Sequence, residues 1–349
     1  MISPERRGAI TTVDRVQHVL ATQLEADFCL PAGSIASAIT QQKAGENPTL
    51  AAVQLPAESM GASRRRGADI WELRVGNYNG VGVLCARHPR VLEAAREYLS
   101  GDQSNWLGDY AQLRQLNELL TPYSQQISGT SVYYTPSRAL VESVVPADLP
   151  AQEVKCAVPG IGMMRRVDSS ALRAALTDEI SGERVIAGVA NASAGAIEVE
   201  ASDLQAPKLR VHLEFLNTEQ FERFRGDVRY ANALGFSEKR PDVQVLAAYE
   251  PQEFAQRGFE ADPIAMAGAS DDSPIMRQIG VDVLPAYRNH HLASVLVREL
   301  ARAVLAAGFV PFYGTSPSHV LSQRVAFAAG LVPTWWEYVS TSLLDIDMN

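Results

Sequence analysis

Cysteine and long apolar runs are scarce in the sequence, and each scarcity narrows the class of protein. The three cysteines among its 349 residues, Cys29, Cys85 and Cys156, show no short spacing. An odd number of scattered cysteines argues against a disulfide framework and indicates thiols in a reducing compartment. Because no run of about 18 apolar residues occurs, we expect a soluble cytoplasmic protein without a membrane partner.

Positive charge is also in short supply. The chain carries 31 Lys and Arg against 40 Asp and Glu, a net charge of −9, and its pI is near 5.3. A nucleic-acid-binding protein needs a basic face to neutralise phosphates, so we expect no nucleic-acid partner. Hydrophobic residues at 46% and charged residues at 20% are ordinary for a folded soluble protein. The length suits two domains.

The first part of the chain predicts a domain of helices and strands. Apolar residues at helical spacing follow the N-cap candidate Thr12, and a hairpin is expected around "GNYNG" within residues 70–85. Two short helices are expected near residues 89–99 and 113–120. The stretch "ASRRRGAD" reads as exposed. Three prolines in residues 137–160 favour a boundary near residue 145, which gives domains 1–145 and 146–349.

The second part predicts an alternation of strands and helices. Asn217 and Gln220 are spaced as a capping box, and the apolar pattern after them predicts a helix of about five turns to residue 234. Strand patterns and helical patterns then alternate to the end of the chain. The predicted strands are 243–249, 264–270, 275–284, 309–316 and 332–340. The fold class is therefore α/β.

The junction "VLPAYRNHHLASVLVREL" at residues 283–300 is the most informative segment. A strand runs through a tight turn into an amphipathic helix, which leaves the first helical N–H groups unpaired and directs the positive end of the helix dipole outward. Arg288, His290 and His291 add donors, so the junction suits an anion. The alternative is an ordinary solvated turn. No Cys or carboxylate stands at ligand spacing from the histidines, so we expect no metal.

Two segments resemble the GNAT superfamily of acyl-CoA-dependent N-acyltransferases. Its cofactor signature would read here as Arg288, Asn289, His290, His291, Leu292 and Ala293, with histidine in place of the central glycine. Residues 308–331 resemble its second landmark, with His319 at the usual asparagine position. Residues 266–288 resemble a bacterial branch with an extra N-terminal domain. The resemblance covers residues 243–340.

The resemblance implies a mixed, splayed central sheet flanked by helices, with an N-terminal domain that could be a degenerate second copy. It also implies an acyl-CoA, first of all acetyl-CoA, as co-substrate. The backbone at Val281 and Val283 would bind the pantetheine arm as an added strand. The amides from Arg288 to Ala293 would surround the pyrophosphate. Further cofactor contacts would come from Ser318, His319 and Ser322.

The implied reaction is direct attack of an amine on the thioester. Asp272 and Glu337 are candidates for the base, because each would lie near a strand end that faces the acyl group. Tyr313 or Tyr287 would supply the acid, since the family's tyrosine position, residue 326, is alanine here. The alternatives are plain surface carboxylates and tyrosines that only pack.

We therefore expect an N-acetyltransferase that acts on a small-molecule amine. Two other functions stay open, a catalytically silent acyl-CoA-binding or regulatory module and other thioester chemistry on the same scaffold. The absence of the landmark asparagine, tyrosine and glycine favours the silent module. The sequence leaves the acceptor, the acyl length and the formation of a homodimer undetermined.

Overall fold

The structure is a computed structural model, which describes residues 8–43, 48–54, 62–65, 71–99, 110–127, 129–144, 156–158, 161–164, 196–199 and 209–343. Its α-helices are α1 (Val13–Asp27), α2 (Ser34–Lys43), α3 (Pro89–Tyr98), α4 (Tyr110–Leu120), α5 (Arg138–Glu142), α6 (Thr218–Glu222), α7 (Pro251–Arg257), α8 (Leu292–Ala306) and α9 (Val320–Ala328). None of the described helices combines the length and the apolar character that a membrane span requires.

The described strands precede, separate and follow these helices. They are β1 (Thr49–Val53), β2 (Leu73–Tyr78), β3 (Val81–Ala86), β4 (Gln125–Ile127), β5 (Ser131–Pro136), β6 (Cys156–Val158), β7 (Ile161–Met164), β8 (Ala196–Val199), β9 (Leu209–Leu216), β10 (Asp242–Tyr249), β11 (Ala265–Ser270), β12 (Met276–Val283), β13 (Val310–Thr315) and β14 (Leu331–Ser342). Each strand predicted after residue 240 is confirmed to within two residues at either end.

One mixed sheet joins most of the strands, in the order β1-β3-β2-β14-β5-β13-β12-β11-β10-β9-β8. The β1–β3 and β12–β13 pairs are parallel, and the other pairs along this order are antiparallel. Helices flank the sheet, which confirms the predicted mixed α/β class. The last strand, β14, lies between β2 and β5, so the sheet continues across residue 145. The division into domains at that residue stays a prediction.

The hairpin and the first helix form as their sequences predict. Thr12 caps α1 by accepting a hydrogen bond from the Arg15 amide at 3.4 Å. β2 and β3 pair as an antiparallel hairpin around Asn79 and Gly80, whose φ angles of 51° and 82° are both left-handed. Two-residue hairpin turns of type I′ need positive φ at both central residues, and Asn-Gly supplies it.

The long helix predicted from residue 217 to 234 is wrong. The capping box at Asn217 and Gln220 is confirmed, but α6 ends at Glu222 and only a short 3₁₀ turn, Val228–Tyr230, follows. Gly226 takes a φ of +80°, and Asp227 caps the next turn through the Arg229 amide. A left-handed glycine cannot continue an α-helix. The helical spacing of apolar residues instead serves a cluster of turns that buries Phe221, Phe224, Tyr230 and Leu234 together.

Different parts of the chain cover the two faces of β12. On one face, α8 buries Leu292, Leu296, Leu300 and Val304 in a core that Ile279 joins, with Val281 and Val283 packed against it. On the other face, Gly268 and Gly280 contact residues 232 and 233. A β-carbon at Gly280 would lie 1.8 Å from the Asn232 carbonyl oxygen, and one at Gly268 would lie 2.0 Å from that of Ala233. Only glycine allows this approach.

Candidate functional site

The parallel strands β12 and β13 separate part-way along their length. They are paired from Met276 to Gln278 of β12 and from Val310 to Phe312 of β13. β12 then continues to Val283, while β13 turns to pair with β5 from Tyr313 onward. Among the described residues, no strand pairs with 279–283 on the β13 side. Those backbone groups form an inner edge without a strand partner, as expected for the predicted splayed sheet, and Val281 and Val283 lie on it.

The loop from β12 to α8 ends this open edge in a backbone shape that suits anions. Asn289 and His291 both adopt left-handed φ angles, of 66° and 57°. His291 is the N-cap of α8, and its side chain makes no capping hydrogen bond. The first N–H groups of a helix have no intrahelical acceptor, and backbone turns that include left-handed residues gather N–H groups into anion-binding concavities. The predicted signature residues 288–293 thus lie together at the end of the open edge.

The side chains of this loop are arranged less simply. The Arg288 side chain is exposed, and its Nε donates a hydrogen bond of 3.1 Å to the Val283 carbonyl. Nδ1 of His290 is buried and has no hydrogen-bond partner among the described residues. His291 is exposed, and Ala293 is half-buried on the first turn of α8. The cation of Arg288 is therefore close to the edge but is engaged with backbone in this structure.

A polar anchor fixes the wall on the opposite face. The Asp282 carboxylate accepts hydrogen bonds from the amides of Asn232 at 2.7 Å and Ala233 at 2.9 Å, and from the Asn232 side chain at 2.7 Å. These bonds hold residues 232–233 over β11 and β12 beside the point where the strands separate. The open edge therefore lies between this segment and α8.

Asp272 lies at the other end of β12, in the loop that joins it to β11. Its Oδ2 accepts hydrogen bonds from the Ser270 hydroxyl at 2.6 Å and from the Gln278 amide at 3.1 Å. Gln278 is the last β12 residue paired with β13. Burial raises the pKa of Asp272, although the bonds from Ser270 and Gln278 act to lower it. A buried carboxyl at this point can hold or release a proton near the place where the strands part.

Tyr313 and Ser322 meet across β13 and α9. The phenolic oxygen of Tyr313 lies 2.7 Å from Oγ of Ser322. Burial raises the pKa of Tyr313, against a smaller lowering by the Ser322 bond, so the phenol keeps its proton at neutral pH. Ser318 and His319 lie exposed just before α9. Tyr287 donates a hydrogen bond to the Glu250 carboxylate, and this bond raises the pKa of Tyr287 to about 12.

Glu337 lies within β14 and not near a strand end, so its predicted position is wrong. Its carboxylate is buried and accepts a hydrogen bond of 2.8 Å from Nη2 of Arg64. Arg64 also donates through its amide at 2.6 Å and through Nε to the buried carboxylate of Asp27. The sequence predicts that the stretch "ASRRRGAD" is exposed. The structure instead places one of its arginines, Arg64, in the interior between two carboxylates.

Three aromatic rings complete the surroundings of Arg64. The centre of its guanidinium lies 5.2 Å from the ring of Tyr133, 5.5 Å from that of Phe312 and 5.1 Å from that of Trp335. The Tyr133 and Trp335 rings stack at 4.6 Å. Stacking on aromatic faces favours arginine over lysine at such a place.

Arg64, its two carboxylate partners and the three rings around it form a cluster, called here the Arg64 cluster. This cluster borders the end of the segment in which β12 and β13 are paired. Phe312 is in register with Gln278, and a β-carbon on Gly314 would lie 2.8 Å from the Tyr133 ring and 3.7 Å from the Gln278 side chain. The Arg65 amide donates to the Asp272 carbonyl at 2.7 Å. The sequence gives no sign of this connection, because its members come from distant segments and only the triple arginine stands out.

Known solved structures align with part of the chain. No family model and no curated protein matches the sequence. The solved structures that align with the chain include acetyltransferases of the GNAT family. A GCN5-related N-acetyltransferase-like protein from Streptococcus suis 89/1591 is 12% identical, with a TM-score of 0.29 over 51% of this chain and 79% of that one.

Two further solved structures align over a shorter part of the chain. The GNAT domain of PAT from S. lividans is 14% identical, with a TM-score of 0.27 over 41% of this chain and 96% of that one. The yncA protein of Salmonella typhimurium, solved with its cofactor acetyl-CoA, is 13% identical, with a TM-score of 0.27 over 38% and 94%.

Proposed function

We propose that the chain is an acyl-CoA-dependent N-acyltransferase that transfers an acyl group, in the first place acetyl, to a small-molecule amine. The observation that carries the proposal is the parting of β12 and β13 after Gln278 and Phe312, which leaves one edge of β12 unpaired. An extended chain with amide groups can add to such an edge by main-chain hydrogen bonds. The pantetheine arm of coenzyme A is a chain of this kind.

The two ends of the open edge suit the two ends of the cofactor. At the α8 end, the backbone of residues 289–293 offers N–H groups and a helix dipole to a pyrophosphate. Arg288 would exchange its bond to the Val283 carbonyl for a phosphate oxygen, which also frees that carbonyl for the pantetheine. At the other end, the thioester would lie near Gln278, next to Asp272.

The proposed reaction needs a base that takes one proton from the amine and an acid that gives one proton to the thiolate. The neutral nitrogen of the acceptor attacks the thioester carbonyl carbon, and the carbon–sulfur bond breaks to give an amide and a thiolate. Asp272 takes the proton that the nitrogen loses, directly or through a water. Tyr313 gives its phenolic proton to the thiolate, because its raised pKa keeps that proton in place until then. Glu337 takes no part, since Arg64 neutralises it.

A catalytically silent acyl-CoA-binding module is the second candidate. Ala326 is fully buried where a superfamily tyrosine would stand, and the Tyr313 hydroxyl is already bonded to Ser322. Both observations favour binding without turnover.

Two measurements on the full chain test the proposal. Hydrogen exchange with and without acetyl-CoA should show protection of the amides in residues 279–293, and protection confined to other segments would contradict the cofactor site. Release of free thiol from acetyl-CoA should then rise with an amine panel if the chain is a transferase. Protection without amine-dependent thiol release would identify the silent module.

A further inference from the structure

The C-terminal end of α1 places a cysteine where the backbone favours glycine. The amide of Leu30 donates to the Glu25 carbonyl at 2.8 Å and that of Cys29 to the Ala26 carbonyl at 3.4 Å. This is the Schellman arrangement, in which the residue after the C-cap is left-handed and is usually glycine. Cys29 holds that place with a φ of 56°, at a cost of about 1 kcal/mol relative to glycine. Backbone strain of this kind often marks a residue whose side chain has a function.

Cys29 packs against the buried cluster that contains Cys85, and the two thiols interact with each other. Cys85 is fully buried on β3, in register with Arg74 of β2, so both side chains lie on one face of the hairpin. Arg74 binds the Asp27 carbonyl, and its guanidinium lies 4.7 Å from the centre of the Phe28 ring. Residues 27–29 thus dock together on the face of the hairpin that carries Cys85. Neither thiol is in a disulfide.

We propose that Cys29 and Cys85 are an oxidation site, at which a peroxide converts the two thiols into an intramolecular disulfide. The half-buried Cys29 is accessible to the oxidant, whereas the buried Cys85 is not. The Cys29 thiolate attacks one peroxide oxygen, the oxygen–oxygen bond breaks, and Cys29 becomes a sulfenic acid while hydroxide leaves and takes a proton.

Cys85 completes the disulfide. Its sulfur attacks the Cys29 sulfur, the sulfur–oxygen bond breaks, and the departing oxygen leaves as water with the proton that Cys85 loses. Two thiols are oxidised by two electrons in total, and one hydrogen peroxide is reduced to two waters. The bond with Cys29, followed by burial, raises the pKa of the Cys85 thiol, so this second step should be the slower one and should accelerate as the pH rises.

The disulfide would join the end of α1 to β3 and enclose residues 30–84 in a covalent loop. This loop contains Ser63 and Arg64, which bind the same end of α1 through the Ala26 carbonyl and the Asp27 carboxylate. Oxidation would therefore hold the α1 end, the Arg64 segment and the β2–β3 hairpin together. Reductants could reverse it from the exposed side of Cys29.

The test uses the full-length chain with Cys156→Ser, so that the pair alone remains. The reduced protein is treated with hydrogen peroxide, free thiols are blocked with N-ethylmaleimide under denaturing conditions, and the intact mass is measured. We expect a mass lower by two hydrogen atoms without maleimide adducts, and a peptide that links Cys29 to Cys85. Two adducts, stable sulfinic acid on Cys29 or disulfide-linked dimers would overturn the proposal.

Two variants keep the test decisive if removal of Cys85 impairs folding. In the same background, Cys29→Gly restores the residue that the left-handed position favours and leaves Cys85 in place, so it should fold and should show one adduct after peroxide. Cys29→Ser should behave in the same way. A loss of two hydrogens in either variant would also overturn the assignment, because the second sulfur would be missing.

Discussion

Nη2 of Arg64 donates a hydrogen bond of 2.8 Å to Oε2 of Glu337, and both side chains are shielded from solvent. Because Asp27 binds the same guanidinium, removal of Arg64 would leave two buried carboxylates with only the longer contacts to Arg74, of 3.8 Å from Asp27 and 3.7 Å from Glu337. We therefore expect Arg64→Met to lower the free energy of unfolding by about 3 to 5 kcal/mol, the usual result of breaking a buried ion pair from one side. Denaturant unfolding followed by circular dichroism measures it.

The neighbouring arginine is the matched control. Arg65 has a half-exposed side chain. Its Nη1 lies 3.9 Å from the Asp271 carboxylate and donates hydrogen bonds of 3.3 Å to the Lys239 and Asp271 carbonyls at the surface, so Arg65→Met should change the free energy of unfolding by less than about 1 kcal/mol. Equal losses in the two variants would contradict the expected contribution of the buried Arg64 ion pairs to stability.

The approach of residues 232 and 233 to the sheet should be sensitive to one methyl group. A β-carbon at Gly280 would lie 1.8 Å from the Asn232 carbonyl oxygen, whereas none of the surrounding atoms is within 4 Å at Gly235. We expect Gly280→Ala to lower the free energy of unfolding by about 1 to 3 kcal/mol, as overpacking does, and Gly235→Ala to leave it nearly unchanged. Thermal and denaturant unfolding of both variants would check this. A Gly280→Ala protein as stable as the wild type would mean that the segment lies farther from β12.

These contacts show where sequence patterns stop being informative. The alternation in 275–284 and the helical spacing in 292–304 report local periodicity, which the burial of one face reproduces directly. The pattern after Asn217 has the same spacing but bends at Gly226, because apolar turns can bury a cluster as well as a helix can. Arg64, Asp27 and Glu337 meet only through the fold, so no local pattern marks them.

The prediction for Asp272 concerns both turnover and pH. Asp272→Asn should lower amine-dependent thiol release by roughly 10²-fold and leave acetyl-CoA affinity unchanged, as loss of a general base does. Asp271→Asn, a change in the more exposed neighbour, is the control. Because burial raises the pKa of Asp272, the wild-type rate should rise with pH through that raised value. A pH–rate profile that both variants share with the wild type would remove Asp272 from the mechanism.

The same raised pKa has a consequence for stability. The folded state holds the Asp272 proton to higher pH than the unfolded state, so the contribution of Asp272 to stability is greatest at low pH and falls as pH rises from the ordinary aspartate range through the raised pKa. The asparagine side chain of Asp272→Asn does not titrate, so the variant lacks this pH-dependent contribution. The difference in free energy of unfolding between variant and wild type should therefore move in favour of the variant over that window. Urea unfolding at several pH values measures it, and a constant or opposite difference would contradict the direction of the pKa shift.

Arg288 should contribute to acetyl-CoA affinity, although its side chain contacts the Val283 carbonyl in the structure. Its Nε donates to the Val283 carbonyl at 3.1 Å, which places the guanidinium beside the start of α8. We expect Arg288→Ala to weaken acetyl-CoA binding by about 1.5 to 3 kcal/mol, the range for a charged hydrogen bond. Arg257→Ala, which removes an exposed arginine paired with Glu253, should not alter it. Calorimetric titration distinguishes the two, and unchanged affinity in Arg288→Ala would contradict the phosphate site.

His291 tests whether the backbone or the side chain of the loop meets the phosphate. The residue occupies the signature's glycine position, has a φ of 57° and is exposed, so the backbone already has the shape that glycine favours. We expect His291→Gly to bind acetyl-CoA at least as tightly as the wild type between pH 6 and pH 9. If the imidazole itself met the phosphate, His291→Gly would lose that contact. A His291→Gly protein that binds acetyl-CoA more weakly than the wild type, while His290→Ala binds as tightly, would assign the contact to the side chain.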